Sequence, residues 1–225
     1  MDVLGIDACG KLGWTGIRLS DGAYAGSLVE LRIDSLIGRS AGVRVIAVDM
    51  PLGLVEKGWR TADLAARALL GPRRSSVFLV APRSVWQEPG YGAAADLCER
   101  LTGSRLSRQA WALSPKLTEA RACWVADRRI HEVHPEVSFR TLAGGVPLSH
   151  SKKSWRGQNE RRSLLARAGI VLPDSLGEAD RVPPDDVLDA AAAAWSAHRI
   201  ALGIAGRVPE TPQRDAEDRA VEIRY

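Results

Sequence analysis

The sequence predicts an α/β fold with a five-stranded mixed sheet, and three observations carry that prediction. Residues 3–31 hold three β-rich runs separated by turn signals; Val43–Val48 is apolar with almost no alternation; helical spacing recurs from residue 61 onward. The first pattern is that of an antiparallel meander, and the second that of a central strand buried on both faces, as in parallel pairing.

In chain order, Val3–Ile6 is a short apolar run that ends in Asp7. Trp14–Leu19 and Ala23–Leu31 follow, split by Ser20-Asp21-Gly22, a hairpin turn signature. Ile33, Leu36 and Ile37 share a helical face, with Asp34 early and Arg39 late, as the helix dipole favours. Val43–Val48 again ends in an acid, Asp49. Thr61–Leu70 predicts a helix stopped by Gly71-Pro72, and Val77–Val80 a short strand before a Pro/Gly-rich stretch. Helices are expected over Ala93–Leu101 and Leu117–Arg129, then a fifth strand over Ile130–His134. Glu160–Ala168 and the alanine-rich Val187–Leu202 complete the helices, the latter introduced by Pro183-Pro184-Asp185. Val221–Tyr225 predicts a small edge strand. We expect one domain over residues 1–225, with residues 59–115 forming an insertion or lid after the fourth strand.

The chain is 45% hydrophobic and 26% charged, enough to bury a core, which excludes disordered, collagenous and disulfide-scaffold classes. No apolar run approaches the ~18 residues a membrane span needs. The first residues lack the basic, then apolar pattern of a signal peptide, so a cytoplasmic protein is expected. Cys9, Cys98 and Cys123 are odd in number and lie in no C-x-x-C, which favours reduced, packed thiols over disulfides or zinc. Residues 60–167 carry 19 Lys/Arg against 9 Asp/Glu, whereas the ends are acidic. A basic middle suits an anionic partner, nucleic acid among them.

Two apolar strands that each end in Asp call for an explanation, because an apolar run gains nothing from a terminal carboxylate. If the strands are neighbours, Asp7 and Asp49 repel unless a cation or proton lies between them, and a divalent metal is the economical answer. The alternative is that each Asp opens a turn. Asp186 and Asp189 share a face of the last helix at i, i+3, with Asp185 placed to cap it; acids favoured by the helix dipole are the competing account. Glu132-Val133-His134-Pro135-Glu136 lies on the fifth strand and its exit, so either Glu132 or Glu136 can join the acids, while His131 falls on the opposite side. Two basic clusters, Arg73-Arg74 and Lys152-Lys153 with Arg156, Arg161 and Arg162, suit phosphate contacts or solvated faces. Trp59, Trp86, Trp111 and Trp155 suit base stacking or packing of the core and lid.

These residues also carry a resemblance. Gly5-Ile6-Asp7, Gly13-Trp14, Val48-Asp49-Met50-Pro51-Leu52-Gly53-Leu54, Ser75-Ser76-Val77-Phe78, Ser107-Arg108-Gln109, Glu132-Val133-His134-Pro135-Glu136, Lys152-Lys153 and Asp185-Asp186-Val187-Leu188-Asp189-Ala190 together resemble DUF429, a family described as predicted RNase H-like nucleases. The resemblance runs in order from residue 5 to about residue 190. It implies an RNase H-like sheet, the first three strands antiparallel and the rest parallel, flanked by helices. It also implies an acidic cluster of Asp7, Asp49, Asp186 and Asp189, with Glu136 a further catalytic candidate. Mg²⁺ or Mn²⁺ held there would serve two-metal hydrolysis of DNA or RNA phosphodiesters, with Arg73, Arg74, Lys152, Lys153, Arg156 and Arg161 on the nucleic acid. Two readings stand beside that one: a non-catalytic nucleic-acid or partner-binding module on the same fold, and a phosphohydrolase or phosphotransferase acting on a small metabolite. The second lacks a glycine-rich phosphate loop.

Overall fold

The computed structural model describes residues 1–225. Strands β1 (Asp2–Ala8), β2 (Trp14–Ser20) and β3 (Ala23–Glu30) form the expected meander. Asp21 and Gly22 turn the second hairpin with positive φ, which Asp tolerates and Gly takes without cost. Helix α1 (Ile33–Gly38) leads into β4 (Val45–Val48), which pairs parallel with β1; β5 (Ile130–Glu132) pairs parallel with β4. The sheet order is β3-β2-β1-β4-β5, so the mixed, five-stranded α/β architecture is as expected.

Between β4 and β5 run helices α2 (Thr61–Leu70), α3 (Tyr91–Thr102), α4 (Arg108–Trp111) and α5 (Ser114–Ala126). Beyond β5 come α6 (Pro135–Leu142), α7 (Trp155–Arg167) and α8 (Pro184–Ala201). A hairpin of β6 (Arg207–Arg214) and β7 (Ala220–Arg224) closes the chain.

Three local expectations are corrected or refined. Val77–Val80 forms no strand: it pairs with no strand of either sheet, and the Val80 amide donates to Asp63 Oδ2 at 2.8 Å instead. The strand expected over residues 221–225 is present as β7, but it pairs with β6 in a sheet of its own and meets the end of the main sheet through a parallel bridge, Val133 to Arg224, while Val221 and Ile223 pack into the core. Helix α7 begins five residues early because the Ser154 hydroxyl accepts from the Gly157 amide, a side-chain cap that fixes the start.

Alternation along β1 and β4 decides what faces what. Leu4, Ile6, Ile46 and Val48 join one apolar layer with α1, α3 and α5; Val3, Val45 and Ala47 join another built on α8 and α7. Continuing the count by twos puts Asp7 and Asp49 on the α8 face. Helix α8 can lie close there because its contact surface is Ala190 to Ala194 and the strand opposite offers Gly5: a Cβ at Gly5 would stand 2.0 Å from the Ala194 amide nitrogen. Strand and helix therefore meet backbone to backbone, with no side chain between them.

Candidate metal centre

Asp7 ends β1, Asp49 follows β4, and the two strands are in register with Gly5 opposite Ala47 and Ile6 opposite Val48. The Asp49 amide continues the ladder, donating to Ile6 O at 2.9 Å. The two carboxylates are thus neighbours by sheet geometry. Asp189, in the second turn of α8, comes down on them from the adjacent layer, and one carboxylate oxygen from each of the three lies within 4.8 Å of the others. Asp7 is 6% and Asp189 2% exposed. Asp186, one turn earlier, is half-buried and stands at the edge of the group.

Burial pushes all three carboxyls above the usual range, Asp49 and Asp189 up to about 7, and the mutual repulsion of Asp7, Asp49, Asp186 and Asp189 adds to it. Asp186 is raised too, first by burial and then by Asp185. One cation opposes this. Lys152 Nζ donates to Asp189 Oδ2 and lies 3.9 Å from Asp185 Oδ2, while Lys153 reaches Asp185 at 2.5 Å. Asp185 is accordingly not the predicted cap: α8 begins one residue earlier, at Pro184, and makes no side-chain cap.

The donor set fits a divalent cation. Three hard oxygen donors converge from three elements, and Asp189 Oδ1 is buried without a hydrogen-bond partner, an acceptor left for a further cation. The cluster can therefore bind a divalent metal.

The sign of the pH effect follows from the raised values. Between the unfolded carboxyl pKa near 4 and the folded value near 7 the native chain binds more protons than the unfolded one, so stability falls as pH rises through this window. In EDTA, the unfolding free energy from urea titrations should drop between pH 5 and pH 8, on the order of 2 kcal/mol, and Asp49→Asn should flatten the drop. A flat wild-type profile would show that the carboxyls ionise at no cost.

The cluster lines a cavity of about 400 Å³. Asp7, Asp49, Asp186, Asp189, Glu136, Arg73 and Lys152 all line it, with Glu132 and His134. The glutamates are committed elsewhere. Arg60, completely buried, pairs with Glu132 and with Asp63 at 2.8 Å, and the Leu52 amide donates to Glu132 at 2.8 Å. Glu136 receives Arg161 and has Arg73 at 3.7 Å. Arg161 is itself fully buried, over the Phe139 ring, so the expected nucleic-acid contact by Arg161 is corrected: it anchors Glu136 from inside. His134 Nε2 lies 3.2 Å from Ser76 O, and burial lowers its pKa, keeping the ring neutral. Arg74, Lys153 and Arg156 are exposed and do not line the cavity.

Sequence reasoning missed two things here. Lys152, expected on phosphate or on a solvated face, pairs with Asp189 as the cluster's internal counter-ion; the adjacent pair Lys152-Lys153 is visible in the sequence, but its target, 37 residues on, is not. The Arg60–Glu132 and Arg161–Glu136 pairs were equally hidden, 72 and 25 residues apart in sequence.

No helix is long and apolar enough to cross a membrane. No curated protein and no solved structure matches the chain. The profile of one family matches residues 5–214, nearly the whole chain and every carboxylate of the cluster. The chain belongs to DUF429, described as a protein family of unknown function.

Proposed function

We propose that the protein is a metal-dependent nuclease of RNase H-like fold that hydrolyses phosphodiester bonds at the Asp7–Asp49–Asp189 cluster. The observation that carries this reading is the convergence of three carboxylates, two buried and one partly buried, from the ends of β1 and β4 and from α8 on one point lining a cavity that also holds Lys152 and Arg73. Asp7, Asp49 and Asp189 would hold Mg²⁺ or Mn²⁺, with Asp186 extending the set at the rim. Divalent ions bound there supply charge for the phosphate and lower the pKa of a bound water.

The remaining work belongs to the chain's own groups. Lys152 and Arg73 present N–H donors on the cavity wall, and these can hold the non-bridging phosphate oxygens. Glu136, fixed by Arg161, sets the direction of Arg73. The Asp7 carboxylate is held in place by the Ala8 amide at 2.7 Å, so it does not rotate out of the cluster.

One observation favours a second reading, a non-catalytic nucleic-acid-binding module on this fold: Lys152 already neutralises Asp189, as a cluster that had lost its metal would require. Thermal melts separate the two. Millimolar Mn²⁺ should raise the wild-type Tm by several degrees, through binding to the native state only, and leave an Asp7→Asn/Asp186→Asn variant unmoved. Equal shifts in both proteins, or none in wild type, would favour the module.

A further inference from the structure

We infer that the substrate is single-stranded nucleic acid, taken with one unpaired nucleotide inside the cavity and its neighbour stacked on Trp155; this rests on the nuclease reading above.

The first argument is depth. A scissile phosphate must reach a cluster in which Asp7 and Asp189 are almost completely buried, on the lining of a cavity whose volume suits one nucleotide. A phosphate in a duplex cannot descend into such a space while its base stays paired, so the nucleotide has to arrive unpaired or be extruded at the cost of unstacking.

The second argument is the chemistry of the walls. The lining includes Lys152 and Arg73, which suit phosphate, and also Phe78, Trp86, Leu113 and Leu117, which suit a base. Phe78 is substantially exposed for a large apolar side chain, and Trp86 is held rigid by its N–H to Ala81 O at 2.9 Å and by stacking on Trp111. A lining that holds both apolar residues with aromatic faces and cations matches a nucleotide, base against the former and phosphate against the latter.

The third argument is independent of the cavity. Trp155 is 80% exposed, the most exposed of the large apolar side chains, at the first turn of α7. A helix start gives no reason to leave an indole in water. It lies three positions after Lys152, whose ammonium touches the cluster, so the two Cα atoms lie within about 11 Å. Exposed Lys153 and Arg156 flank it. An exposed aromatic between cations, this close in the chain to a cavity-lining lysine, is a stacking platform for the next base along a strand, and it carries no hydrogen-bond readout, so sequence preference should be weak.

The test is fluorescence anisotropy with labelled single-stranded and double-stranded oligonucleotides and with mononucleotides, in Ca²⁺, for wild type, Trp155→Ala and Leu113→Trp. Mn²⁺-induced Tm shifts are measured on the same three proteins. The expected result is single-strand binding well above duplex binding, weakened about tenfold by Trp155→Ala and further by Leu113→Trp, which adds bulk among the apolar lining residues, with the Mn²⁺ shift kept in both variants. Equal binding of duplex, an unchanged affinity in Trp155→Ala, or mononucleotides binding as tightly as the strand would overturn the inference while leaving the metal site standing. Loss of the Mn²⁺ shift in wild type would instead overturn the nuclease reading itself.

Discussion

Asp189→Asn will abolish metal-dependent phosphodiester cleavage while the chain stays folded. Asp189 is the one cluster carboxylate that comes from the helical layer, and it has a buried oxygen with no partner. Asn keeps the shape and one acceptor but removes the charge that holds the ion, so the rate should fall on the order of 10³-fold or more. Stability should change by about 1 kcal/mol or less. Removing a raised-pKa carboxylate relieves its burial, and Lys152, about one-third exposed, keeps Asp185 at 3.9 Å as its partner. The measurement is cleavage of labelled DNA and RNA in Mg²⁺, Mn²⁺ and EDTA, wild type and variant side by side. Equal activity in both would expose a contaminating nuclease or a misassigned ligand.

Gly5→Ala will strongly destabilise the chain. Its Cβ would stand 2.0 Å from Ala194 N, 2.3 Å from Ala190 O and 2.6 Å from Ala193 C, all backbone atoms of α8. No rotamer change relieves such a clash, so α8 has to retreat as a body. We expect a loss of about 3 kcal/mol or more in urea titration. Because β1 carries Asp7 and α8 carries Asp189, the same retreat opens the cluster, and the Mn²⁺-induced rise in Tm should shrink in the surviving folded fraction. A variant with wild-type stability would mean that the layers are less closely apposed than the structure has them.

The frame of this molecule was legible because its signals are local. Asp21-Gly22 sets a hairpin, two apolar runs each stop at a carboxylate, and Pro184 opens a helix whose i, i+3 acids share a face. Each needs only a few residues to be read. Strand β6 escaped because Pro209 and Pro212 interrupt a polar run that has no alternation, and only its pairing with β7 makes it a strand. Val77–Val80 misled for the converse reason: a short apolar run is consistent with a strand, but these residues wall a cavity. In the site, the acids were visible and their cations were not. Asp7, Asp49 and Asp189 stand out against apolar surroundings, whereas Lys152, Arg60 and Arg161 are ordinary basic residues in a basic stretch until the fold brings distant carboxylates to them.

The ammonium of Lys152 gives the cluster a property of its own. A cation fixed to the chain is present at an effective concentration that dilution does not change, whereas a free ion occupies its site in proportion to its supply. Any ion that enters must displace a competitor that never diffuses away. A singly charged ion offers the carboxylates no more than the lysine already does; a doubly charged one offers twice the Coulomb attraction at the same distance. For an ion that binds here, the tether would act as a discriminator, disfavouring the abundant monovalent ions and setting a divalent concentration below which the acids stay paired with the chain itself.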